Sequence, residues 1–111
     1  MAPIPDAERA VLDIRKIEAY CLDPSHPRGR HKARVFREAL GLGQRDAAWL
    51  RSAFLDGVQR AEATELAHDK FGIRWQVDIS LTRQGRQVVV RTIWIVRSSE
   101  EIPRFVTCWV L

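Results

Sequence analysis

The stretch "HPRGRHKARVF", residues 26–36, holds four Lys or Arg and two His, Arg37 follows directly, and no acid lies between Asp23 and Glu38. Imidazole can donate or accept a proton near neutral pH, and ammonium and guanidinium groups hold anions, so this set suits a phosphate. Pro27 and Gly29 form a loop running into a helix expected from about Arg30 to Leu40. A helix start presents free N–H groups and the positive end of the macrodipole, which also favour an anion. On a wheel of about 3.6 residues per turn, Ala33, Phe36, Ala39 and Leu40 form the apolar arc, and Arg30, Arg34 and Arg37 face solvent. Lys32 falls inside that arc, where an ammonium is costly unless it reaches a partner or a cleft. Two readings stay open. Either an anion sits beside Lys32, with His26 in reach and Arg28, Arg30 and His31 around it, or Lys32 snorkels outward and the arginines are a solvated face.

Further polar residues interrupt apolar strands downstream. Arg91 and Thr92 break "QVVVRTIWIVR", and Thr107 sits in "RFVTCWVL", beside Cys108 and two residues before Trp109. With Gln84 and Gly85 as the central residues of a hairpin turn, Arg91 falls opposite Asp78 and Thr92 opposite Val77. Arg91 and Asp78 then form a cross-strand ion pair. One residue more or less in the turn moves Arg91 to the other face, so the register is open. Together with Lys32, these residues could line one cleft between helix and sheet. His26, His31 and His68 lack zinc-ligand spacing, and there is no P-loop, dinucleotide glycine fingerprint or nucleophile elbow. Neither a metal nor a cofactor is expected.

The elements that must position these groups follow from hydrophobic period. Ile14, Ile17 and Cys21 mark a short helix with Asp13 as a candidate cap; the second runs from Arg30 to Leu40 and the third from about Arg45 to Ala61. Past residue 62 the period changes: Ile73, Trp75, Val77, Ile79 and Leu81 alternate with polar residues, "QVVVRTIWIVR" returns, and Pro103 precedes a last strand. A weaker strand is expected near Thr64 to Ala67. The chain therefore reads as α+β, three N-terminal helices packed on a three- or four-stranded antiparallel meander. Residues 1–9 are expected to form a loose tail and 10–111 a single domain. The 111 residues, 46% hydrophobic and 29% charged with net charge +4, suit one modest core and an anionic partner. Cys21 and Cys108 read as unpaired core thiols of a reducing compartment. The N-terminus has no signal-peptide pattern and no run is long enough to span a membrane, so a cytoplasmic location and no membrane contact are expected.

Three blocks carry a resemblance: "HPRGRHKARVF" (26–36), "VRTIW" (90–94) and "PRFVTCWVL" (103–111). They resemble an uncharacterised family of small bacterial domains with HPxGxxKAxxF, VRTxW and PRxVTxY patterns, some of whose members lie near toxin-like or antitoxin-like genes. More distantly, the order of elements is similar to the barnase–EndoU–colicin–RelE group of RNases. That likeness implies a metal-independent toxin-type RNase acting through the 2′-OH of RNA. Under it, His26 serves as base or acid, Lys32 and Arg91 clamp the phosphate, Thr107 positions it, and Trp109 or Trp94 stacks on a base, with Thr92 nearby. This chain has Trp109 where relatives carry Tyr, so a phosphate-orienting phenol is missing there. The resemblance also implies an antitoxin-like or immunity protein as partner. The rival expectation is a non-catalytic module that binds nucleic acid or an acidic protein. Convergence of His26, Lys32, Arg91 and Thr107 on one pocket favours the enzyme, and divergence favours the module.

Overall fold

A computed structural model describes residues 2–111. A 3-10 turn (Ala7–Arg9) leads to a short π-helical segment, Ile17–Cys21; α1 (Arg30–Leu40), a second 3-10 turn (Gln44–Asp46) and α2 (Ala47–Arg60) follow. Four strands complete the chain: β1 (Ala63–Asp69), β2 (Gly72–Arg83), β3 (Arg86–Arg97) and β4 (Arg104–Val110). They form an open antiparallel sheet in the order β1-β2-β3-β4, and the three helical segments pack on one face of it. The expected α+β architecture is the observed one, with the weak first strand present.

Alternation sets which side chains meet the helices. Val77, Ile79 and Leu81 of β2 and Val90, Thr92 and Trp94 of β3 are buried against Phe36 and Leu40 of α1 and Leu50, Phe54 and Val58 of α2. Gly57 lets α2 approach β2 closely, since a Cβ there would lie 2.5 Å from Ile79 Cγ2. Gly41, in the left-handed region at φ 67°, ends α1. Gln84 and Gly85, at φ 51° and 78°, make the two-residue turn between β2 and β3. This turn places Arg91 opposite Asp78 and Thr92 opposite Val77. Between Ile93↔Thr107 and Trp94↔Phe105 the β3–β4 register shifts by a bulge.

Two expectations need correction. The tail is not loose: Ile4 and Ala7 are buried, and Ala63 N–H donates to Ala2 O at 2.9 Å. Val11 bridges Arg104, with bonds from Val11 N–H to Pro103 O and from Phe105 N–H to Val11 O, both 2.9 Å, so this segment covers part of β4's outer edge. Its isolated apolar residues between prolines carry no period, so only tertiary packing reveals their burial. Met1 lies outside the described residues. The first helix is also wound differently: Leu22 N–H reaches Ile17 O at 2.9 Å, a π-type ring, which turns Ile17, Cys21 and Leu22 all inward. Among the described residues, no helix is long and apolar enough to cross a membrane.

Candidate functional site

β4 is the last strand of the sheet, and two lysines from the helical layer bind its carbonyls. Lys16 Nζ donates to Phe105 O at 3.0 Å, and Lys32 Nζ donates to Cys108 O at 2.8 Å. The inward position expected for Lys32 is therefore occupied, and β4 supplies the partner that such a position demands. Its ammonium also lies 5.6 Å from the centroid of the Trp109 ring. Thr107 stands between the two lysine-bound carbonyls. Beside it runs a groove of about 550 Å³, lined by Asp13, Arg15, Lys16, Tyr20 and Cys21 from one wall and Phe105, Val106 and Thr107 from the other.

His26 reaches this region through Tyr20. The two rings meet edge to face at 4.8 Å. Gly29 makes the contact of loop and π-segment possible: a Cβ there would fall 2.1 Å from Tyr20 O. His26 Nδ1 accepts the N–H groups of Arg28 and Gly29 at 3.0 and 2.9 Å, so it closes the loop at the start of α1 as a capping side chain does. In the neutral ring the proton then resides on Nε2, and the free edge of His26 is a hydrogen-bond donor. At the groove's mouth, the Arg15 guanidinium bonds Asp13 at 2.7 Å and holds its carboxyl down to about 2. Arg15, Lys16 and Lys32 against Asp13 leave the region positive at neutral pH.

Other expected site residues lie elsewhere. Arg91 projects on the sheet face opposite the helices and makes two bonds to Asp78, at 2.9 and 3.0 Å, which raise its pKa further. Its charge is spent on that pair, so it does not join Lys32 in a clamp. Thr92 and Trp94 are both 0% exposed. Trp94 Nε1 donates to Thr92 Oγ1 at 2.8 Å and Thr92 Oγ1 donates to Val77 O at 2.7 Å, so both satisfy each other within the core. Neither can touch a substrate, and Trp94 offers no ring face to a base. Trp109 is 38% exposed and lies beside Arg91 on the same sheet face, with the Lys32 ammonium 5.6 Å from its ring. Arg28 is exposed on the loop. Arg30 and His31 line a separate depression of about 490 Å³ with Arg34 and Arg37, on the far side of α1 from Lys32. Sequence reasoning missed Lys16 and Tyr20. Tyr20 is the chain's only tyrosine, beside an inward cysteine, but the stripe of Ile14, Ile17 and Cys21 gives no sign that a strand faces it. Among the described residues, no three His, Cys, Asp or Glu side chains cluster as metal ligands.

A family model described as "Domain of unknown function (DUF6883)" matches residues 3–111. Among solved structures, the fold is similar to a chain of the "Contact-dependent growth inhibition toxin - immunity protein complex from Klebsiella pneumoniae 342". The identity is 14% and the TM-score 0.69, over 95% of this chain and 96% of that one, a likeness of fold. No curated protein matches the sequence.

Proposed function

The chain belongs to the family described as Domain of unknown function (DUF6883), and we propose that it is a toxin-type domain whose β4 groove holds an RNA phosphodiester and cleaves it through the RNA's own 2′-OH. The observation that carries this reading is the pair of ammoniums, Lys16 and Lys32, flanking Thr107 on one strand. The similar solved structure is a complex of a toxin with an immunity protein, and the positive groove favours the toxin side of such a pair. An inhibitor of this domain is then an acidic protein that covers the groove, and the target RNA places the site of action in the cytoplasm.

Cleavage forms the 2′-O–P bond and breaks the P–O5′ bond, so charge must be held on the phosphorane and the departing oxygen needs a proton. Lys16 and Lys32 supply the charge, and either can donate that proton. Thr107 Oγ and His26 Nε2 are donors for the non-bridging oxygens, the Tyr20 hydroxyl can accept a hydrogen bond from the 2′-OH, whose proton leaves to solvent, and Trp109 offers a stacking face. His26 therefore holds the phosphate and does not shuttle its protons, because both Nδ1 contacts would be lost on protonation there.

That same commitment of Nδ1, with Arg91 turned away, favours the second reading, a module that binds RNA or an acidic protein without cutting. The two separate on one comparison, end-group analysis of RNA after incubation with the full chain and with Lys16→Ala/Lys32→Ala. New 2′,3′-cyclic phosphate ends made only by the unaltered chain support cleavage. Tight, salt-sensitive RNA binding without new ends supports the module.

A further inference from the structure

We infer that Cys21 and Cys108 form a dithiol site that a low-molecular-weight disulfide converts to an internal disulfide across the floor of the groove. The two residues sit on different walls, Cys21 at the end of the π-segment and Cys108 on β4. Both are free and fully buried, and their Sγ atoms lie 3.7 Å apart, in hydrogen-bond contact. A disulfide needs about 2.0 Å between sulfurs, so closing from 3.7 Å requires about 1.7 Å of combined movement.

Chemistry distinguishes the two thiols. Cys21 lines the groove although its side chain is 0% exposed, so a small reagent reaches it through local opening of the π-segment, whereas Cys108 is enclosed by the sheet. The Cys108 thiol bonding to Cys21 outweighs burial and, with the charges of Lys32 and Lys16, holds the Cys21 thiol below its ordinary value. The Cys108 thiol is pushed well up, by that same contact and by burial. The thiolate is the nucleophile, and Cys21 attacks first because it is the thiol that lines the groove. Its thiolate displaces one thiolate from the reagent, forming a mixed disulfide at Cys21. Cys108 then loses its proton to solvent and attacks Cys21 Sγ, expelling the second thiolate. The net change is one protein dithiol and one small disulfide to one protein disulfide and two small thiols. The bond ties Lys16 and Tyr20 on one wall to Thr107 on the other, and closes residues separated by 87 positions in sequence. This site does not depend on RNA being the substrate.

The test is incubation of the full chain, freed of reductant, with glutathione disulfide. The expected product is a monomer lighter by about 2 Da, the mass of the two hydrogens lost. It carries no glutathione, shows no free thiol in denaturant, and melts at least about 5 °C higher than the reduced form. Cys108→Ser should stop at a glutathione adduct on Cys21. Because the first readout uses the unaltered protein, a variant that misfolds does not blunt the test. Two persistent thiols, a stable adduct in the unaltered chain, disulfide-linked dimers alone, or an internal disulfide with unchanged or lower Tm would each overturn the inference.

Discussion

His26 accepts two backbone N–H groups through Nδ1, so replacing it removes a cap of the loop-helix junction as well as a donor to the groove. His26→Ala is therefore expected to lower stability by about 1 kcal/mol, the usual cost of a lost cap, measurable by urea unfolding. His26→Asn keeps an acceptor at the Nδ1 position, and should restore stability while leaving RNA affinity reduced. Lys32 and Arg37 make the complementary pair. Lys32→Ala should weaken RNA binding at least about tenfold, the scale of a lost charge-assisted bond, and Arg37→Ala far less, in a filter-binding assay at fixed salt. Equal losses would mean that only diffuse charge attracts RNA. The half-buried, inward position of Lys32 was readable from its place on a helical wheel. The role of His26 as a cap was not, because that depends on how the Pro27–Gly29 loop folds back on its own N–H groups.

The junction of loop and π-segment is the element on which the groove depends. Gly29→Ala places a methyl against Tyr20 O and should destabilise the domain by about 1–3 kcal/mol, as overpacking does. It should also part His26 from Tyr20, so the fluorescence or NMR signature of this single tyrosine should change with it. An unchanged urea midpoint would show that the two segments are not in contact in solution. The strands were the most legible elements through the strict alternation in β2, but their register stayed open in the sequence, and it is the folded Gln84–Gly85 turn that sets Arg91 opposite Asp78. That register is also what removes Arg91 from the site. The π-segment was legible only as a helical stripe. Its extra-wide ring arises from packing Ile17, Cys21 and Leu22 inward together, a tertiary demand that residue spacing does not encode.

Across the molecule, ion pairs and capping bonds tie stability to pH in one direction. Asp13 is lowered first by the Arg15 side chain, Asp46 by the Gly43 N–H, Asp69 by the Phe71 N–H and Glu100 by the Arg104 side chain. Groups with depressed folded pKa values contribute stability above their unfolded pKa and lose it as pH falls through the folded one. The Tm should thus be flat near neutrality with respect to these groups and fall from the ordinary carboxylate values of 3.8 and 4.5 down to about 2. A calorimetric series showing no fall across that window would contradict these contacts. The layout of helices on a meander was legible as a whole, whereas the convergence of Lys16, Tyr20, Lys32 and Thr107 was only half so, because it needs residues some 90 positions apart to share a strand edge. The central claim is that this shared edge cleaves RNA through its 2′-OH. The most direct measurement is the same oligonucleotide, with and without a single 2′-deoxy substitution at the cut position, incubated with the purified chain in EDTA. The account predicts a cyclic phosphate end from the all-ribose strand and none at the substituted position. An all-ribose strand left intact at every position, or equal cutting of the deoxy-substituted strand, would contradict it.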